Sequence, residues 1–292
     1  MIREIAPAKI NLALHVRRRR DDGYHDIETL FAFATDGDVV TVALADEPSF
    51  AITGEFAAEL SAEHAVGGGG HRESAEEFTP HAANLVIKAR DAFRERFAIP
   101  HRHAITLDKN LPIASGIGGG SADAAATLRA LARLHAISLD DPALHAIAAD
   151  LGADVPACLR GRTTFGTGKG DTLVDIPGLA GTPLLLVNPR VPVSTAAVFA
   201  GWDRVDRGAI PDGDLLTRAR AGRNDLETSA TTLAPVIAAV IAMLGAAAGV
   251  RLARMSGSGA TCFALFDDTS ARDAAAESAA AAGWWTLASV LG

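Results

Sequence analysis

The chain has 292 residues, enough for two modest domains or one large one, and its 49% apolar and 21% charged content is that of an ordinary globular protein, not a disordered one. A formal net charge of -8 provides no overall basic field for a nucleic acid backbone, so any polyanion contact must be local. The two cysteines, Cys158 and Cys262, stand far apart without CxxC spacing, which argues against a disulfide framework or zinc site and fits a reducing cytoplasm.

The opening residues, MIREIAPAK, lack the basic-then-apolar layout of a signal peptide. Ile10, Leu12, Leu14 and Val16 then alternate with Asn11, Ala13 and His15, which predicts a strand with one buried face and sets Lys9 and Asn11 together on its polar side. The basic run 17–20, followed by Asp21 and Asp22, reads as the solvated tip of a hairpin, and residues 39–44 predict a further strand. Residues 63–77, EHAVGGGGHRESAEE, have no periodicity and predict a flexible surface insertion. Next come a helix over 84–97, a short strand over 105–107, helices over 122–135 and 143–151, and an apolar strand over 184–187.

The uncharged segment 228–250 is long enough to span a bilayer. Its alanines, its Pro235 and the stripe Val236, Ile237, Val240, Ile241 and Leu244 instead predict a helix packed inside the protein. Strands over 250–254 and 262–266 joined by SGSG, and a closing helix over 270–282, complete the pattern. Strands and helices mix without strict alternation, which predicts an α+β fold with domains at 1–162 and 163–292.

Between the strand at 105–107 and the helix at 122–135 lies PIASGIGGGSADAAA, where glycines run directly into alanines. A helix start carries backbone N–H groups without intrahelical partners and a partial positive charge, and glycine lets the backbone approach a ligand closely, so the pattern suits a phosphate. Ser121 at the junction can cap the helix or offer its hydroxyl to a phosphate or a magnesium ion. No Gly-Lys-Ser or Gly-Lys-Thr exists for a Walker loop. The dinucleotide fingerprint fits only loosely, as Gly116, Gly118 and Ser121, and a packing turn without ligand stays open as well.

This stretch resembles the phosphate-binding motif of the GHMP kinases. PAKINLALHV, DGYH, LGADVP, RNDLE and MSGSGATCFALF, in that order, narrow the resemblance to the branch that phosphorylates the 2-hydroxyl of a cytidine-diphosphate-linked methylerythritol. It implies a two-domain α+β fold, with a ribosomal protein S5 domain 2-like N-terminal domain and a ferredoxin-like C-terminal domain. It also implies ATP and Mg2+ as cofactors and a small-molecule partner, with neither nucleic acid nor membrane, in the cytoplasm.

By the same resemblance, Pro112, Ile113, Ala114, Ser115, Gly116, Ile117, Gly118, Gly119, Gly120 and Ser121 would hold ATP, with Ser121 also touching the metal. Asp154 would be the base that takes the hydroxyl proton, although an Asp in such a turn is also an ordinary cap. Lys9 would keep that carboxylate ionised, and Asn11 and Asn84 would hold substrate. Tyr24 and His25 would meet the cytosine, with Phe199 closing its other side, while a hairpin anchor and a core position are the plainer readings of Tyr24 and Phe199. Lys109 would neutralise phosphate charge. No position matches the glutamate that some GHMP kinases use for magnesium.

Overall fold

The computed structural model describes residues 1–66 and 84–292. The chain forms two compact units, each assembled from separated stretches: Met1–Ala6, Gly37–Ile113 and Gly119–Arg160 in the first, Pro7–Asp36, Ala114–Gly118 and Gly161–Gly292 in the second.

In the first unit, β4 (Arg102–Asp108) lies between the far half of β2 (His25–Ala45) and β3 (Ser49–Thr53). It runs antiparallel to β2, with Val39 opposite Asp108, and parallel to β3, with Ala104 opposite Ser49. A parallel neighbour cannot be reached by a tight turn, and the crossover includes α1 (Ala57–Val66) and α2 (Leu85–Arg96). His103, Ile105 and Leu107 are buried in alternation along β4. Asn84 caps α2 by accepting the Val86 N–H at 2.8 Å, and Val86, Ile87, Ala89 and Phe93 turn inward.

Of the remaining helices of this unit, α3 (Gly119–Leu134) and α4 (Pro142–Leu151) pack with α2 and with each other, and α5 (Val155–Arg160) packs with α3 and α4. Ala122, Ala124, Ala125, Ala126, Ala130 and Ala132 of α3 are fully buried, and their small side chains let the neighbouring helices come close. Asp141 caps α4 by accepting the Ala143 N–H, with Pro142 at the first helical position, where its missing N–H costs nothing.

The second unit contains a βαββαβ arrangement of β7 (Pro183–Asn188), α9 (Val236–Ala246), β8 (Val250–Met255), β9 (Cys262–Phe266), α10 (Thr269–Ala281) and β10 (Trp285–Val290). The sheet order is β10-β7-β9-β8 with every pair antiparallel, which is the ferredoxin-like order. Leu185, Val187, Cys262, Ala264 and Phe266 from the sheet meet Ile237, Val240, Leu244, Ala275 and Ala279 from the two helices in one core. Most of β1 (Ile2–Arg19) and the near half of β2 also belong here, with β5 (Thr164–Thr167) pairing to β2 and to β6 (Thr172–Asp175).

Three expectations change. Ala8–Val16 is buried on both faces of β1, so Lys9 and Asn11 are 3% and 2% exposed and do not lie on a solvated side. The uncharged segment forms two helices, α8 (Glu227–Leu233) and α9, because Pro235 interrupts the backbone hydrogen bonding between them. No helix among the described residues is long and apolar enough to cross a membrane. Of the expected insertion at 63–77, residues 63–66 close α1 and the rest lie outside the described residues.

Candidate active site

β4 delivers the chain to Lys109, whose backbone is fixed on both sides: its N–H donates to Thr53 O at 2.7 Å and its carbonyl accepts from Phe56 N at 3.0 Å. The segment 112–118 then turns back into α3, with Ala114, Gly116 and Gly118 at φ +49°, +75° and +67°. Gly116 has no room for a side chain, since a Cβ there would lie 2.5 Å from Ser256 O. Three carbonyls of this turn bond to protein donors: Ser115 O to Thr261 N at 3.1 Å, Gly116 O to Ser256 Oγ at 3.0 Å, and Ile117 O to Lys9 N at 3.0 Å. α3 starts at Gly119 and has no acidic residue in its first turn, so its partial positive charge is not offset there. Pro112 and Ser115 are buried, Ile113 and Ser121 half-buried, and Gly120 exposed.

The last of those carbonyl partners links the turn to β1. Lys9 Nζ donates to Asn11 Oδ1 at 3.0 Å and stands 5.1 Å above the Phe31 ring. Asn11 Nδ2 donates to Thr29 Oγ1 at 2.7 Å, which in turn donates to Ala13 O, and the Asn11 N–H donates to Ser256 Oγ at 3.1 Å. This chain of bonds leaves the lysine little rotational freedom.

Asp154 sits half-buried immediately before α5, and its carbonyl accepts from Cys158 N. Asn84 is buried and spends its side chain oxygen on the α2 cap. Tyr24 is 57% exposed at the hairpin turn, with Lys169 Nζ 4.9 Å over its ring, so it is no buried anchor. His25 faces Phe199 with ring centroids 4.9 Å apart and meets the edge of Trp202 at 5.7 Å. Burial, then the Arg19 charge, holds His25 below the ordinary histidine range and favours its neutral ring.

Lys109, expected to face phosphate, has its ammonium enclosed by Asp38 and Asp123, with a side chain 3% exposed. Asp38 Oδ1 also accepts the N–H groups of Asn110 and Leu111, the latter at 2.8 Å. Burial raises the Asp123 carboxyl above the ordinary carboxylate range, against the pull of Lys109 and with the Asp38 charge adding to it. The two carboxylates keep the Lys109 ammonium charged although burial opposes this. Asp38, Asp123, Thr29, Ser256 and Trp202 were not singled out from the sequence. An Asp in DGD reads as a generic turn, and the buried polar members of β1 and β2 carry no local signal.

Comparison with known proteins covers the whole chain. Residues 84–162 match the GHMP kinases N terminal domain and residues 208–283 the GHMP kinases C terminal domain. The chain is similar to the 4-diphosphocytidyl-2-C-methyl-D-erythritol kinase of Rhizorhabdus wittichii, 54% identical over 99% of this chain and 94% of the relative. The enzyme of that name from Novosphingobium aromaticivorans is 48% identical over 99% and 93%. A crystal structure of 4-(cytidine 5'-diphospho)-2C-methyl-D-erythritol kinase superposes with a TM-score of 0.77 at 31% identity, covering 100% of this chain and 99% of that one. Homoserine kinase from Cytophaga hutchinsonii, at 20% identity and a TM-score of 0.66 over 99% of this chain and 93% of that one, shares the fold.

Proposed function

We infer, because the chain belongs to the GHMP kinases and within them to the 4-diphosphocytidyl-2-C-methyl-D-erythritol kinase family, that it transfers the γ-phosphoryl group of ATP to the 2-hydroxyl of that cytidine-linked alcohol. The step belongs to non-mevalonate isoprenoid precursor synthesis. The observation that carries the reading is the 54% identity to a kinase of that name over 99% of the chain.

Phosphoryl transfer asks a protein to position two reactants, balance charge and take one proton. The turn 112–121 receives the phosphates of ATP. In support, the carbonyls of Ser115, Gly116 and Ile117, which would repel an anion, are bonded to protein donors, and α3 presents its amino end. Asp154 takes the proton of the 2-hydroxyl as its oxygen attacks the γ-phosphorus. Lys9, oriented by Asn11, supplies the positive charge that steadies the developing alkoxide. Tyr24, His25 and Phe199 receive the cytosine, and the ring pair at 4.9 Å offers one apolar wall for it. Asn11 and Asn84 contribute polar contacts, the latter secondary to its cap.

Among the described residues no group of three or more His, Cys, Asp or Glu is disposed to hold a metal ion. Ser121 Oγ is the protein oxygen that would touch a magnesium ion held mainly by the ATP phosphates. When bound, Mg2+ neutralises charge on the β- and γ-phosphates. We keep the domain division near residue 162, where the N-terminal family match ends, and place the protein in the cytoplasm, in line with two buried cysteines.

The deciding experiment is turnover with ATP and the cytidine-linked alcohol, beside the same alcohol lacking the cytidine diphosphate. Phosphorylation of the first and not the second is expected. Equal rates, or activity with homoserine or mevalonate in its place, would overturn the assignment.

A further inference from the structure

We propose that Asp38, acting through Lys109 and Asp123, is a positioning residue that fixes both flanks of the glycine turn and thereby sets the affinity for ATP, independently of the alcohol. This rests on the ATP-binding reading of that turn.

The flank leading into the turn is residues 109–111, and Asp38 reaches it twice. Its Oδ1 accepts the N–H groups of Asn110 and Leu111, which immediately precede Pro112, and its Oδ2 accepts from Lys109 Nζ. The flank leading out is the amino-terminal end of α3. There the same ammonium donates to Asp123 Oδ2 at 2.9 Å, and a Cβ on Gly119 would lie 3.0 Å from Lys109 Nζ. One lysine therefore rests directly against the first helical residue while its own backbone is held by Thr53 and Phe56. Gly54 is pressed onto that backbone, since a Cβ there would lie 2.5 Å from Lys109 O.

All three charged groups are buried: Asp38 is fully enclosed, Lys109 is 2% exposed and Asp123 3%. Charges are taken out of water at a cost of several kcal/mol per ion, so they hold their geometry only if each is met by an opposite charge or a hydrogen bond. Asp123 Oδ1 has no hydrogen-bond partner, which makes it the least satisfied group of the three, whereas Asp38 has every contact needed to act as the hub. The arrangement does not touch a phosphate. It determines where the amide groups of the turn stand when a phosphate arrives, and a displacement of 1 Å in such a position is enough to weaken binding.

The test uses the full-length chain with Asp38→Ala and Asp38→Asn, measuring ATP binding directly by calorimetry and the KM for each substrate. Asparagine still accepts the two backbone N–H groups but loses the charge opposite Lys109. Asp38→Ala should weaken ATP binding about tenfold or more and Asp38→Asn about threefold, from the loss of charge-assisted hydrogen bonds, while the KM for the alcohol stays within about twofold in both. If Asp38→Ala does not fold, Asp38→Asn decides alone. Unchanged ATP affinity in a folded variant, or equal movement of both KM values, overturns the proposal. Because ATP binding is read without the alcohol, a wrong acceptor assignment would show only in turnover.

Discussion

Between pH 6.5 and about 4.5 the unfolded chain gains a proton on His103 that the folded chain refuses. His103 is fully buried on β4, its Nε2 sits 2.9 Å from Nε2 of His135 beyond the end of α3, and its Nδ1 has no partner. Burial, then repulsion from His135, Arg94 and Arg90, lowers its pKa to about 4. The folded state therefore binds fewer protons than the unfolded state throughout this window, and stability falls as the pH falls. From an unfolded value of 6.5, the loss by pH 4.5 comes to about 2.5 kcal/mol, at 1.4 kcal/mol per unit of pH. Urea unfolding of the parent and of His103→Gln at about pH 7 and about pH 4.5 isolates this contribution, because acid effects elsewhere are common to both proteins. The parent should lose about 2.5 kcal/mol more than the variant. Equal losses would refute a buried, neutral His103.

Asp154→Asn should lower kcat by about a hundredfold to ten-thousandfold with ATP binding retained in calorimetry; turnover within about threefold of the parent would remove Asp154 from the base role. Phe199→Ala should raise the KM for the cytidine-linked alcohol about tenfold and leave that for ATP unmoved, since its ring partner is His25; a shift in the ATP value instead would misplace the nucleobase. Gly116→Ala combines a φ of +75° with a Cβ 2.5 Å from Ser256 O, so ATP binding should fall and the thermal midpoint should drop with a loss of about 1–2 kcal/mol or more. An unchanged midpoint and affinity would mean the turn is not held as described.

The glycine turn was legible because its signal is local: glycines that permit positive φ, followed at once by alanines that pack. Even so, α3 begins at Gly119, inside the glycine run, because tertiary packing overrides propensity there. The strands of the ferredoxin-like unit were legible at Leu184 and Cys262 as apolar runs, whereas β3 and β6 are short and largely exposed. The polarity of Lys9 and Asn11 suggested a solvated face, yet both are buried among Thr29, Phe31 and Ser256, partners supplied by distant segments. Asp38 and Asp123 were hidden for the same reason: a buried charge is recognisable only once its counter-charge is located.

The interleaving of the two units bears on how the chain leaves the ribosome. Leu14 donates its N–H to Arg223 O at 2.8 Å and accepts from Asp225 N at 2.9 Å, while Val16 N reaches Asp225 Oδ2 across 209 positions. At a synthesis rate of about 5–20 residues per second, the earliest strand waits roughly 10–40 s for those partners to emerge. Leu14, 4% exposed in the folded chain, lacks these backbone partners during that interval. The backbone bonds that hold this part of β1 are thus completed only late in translation.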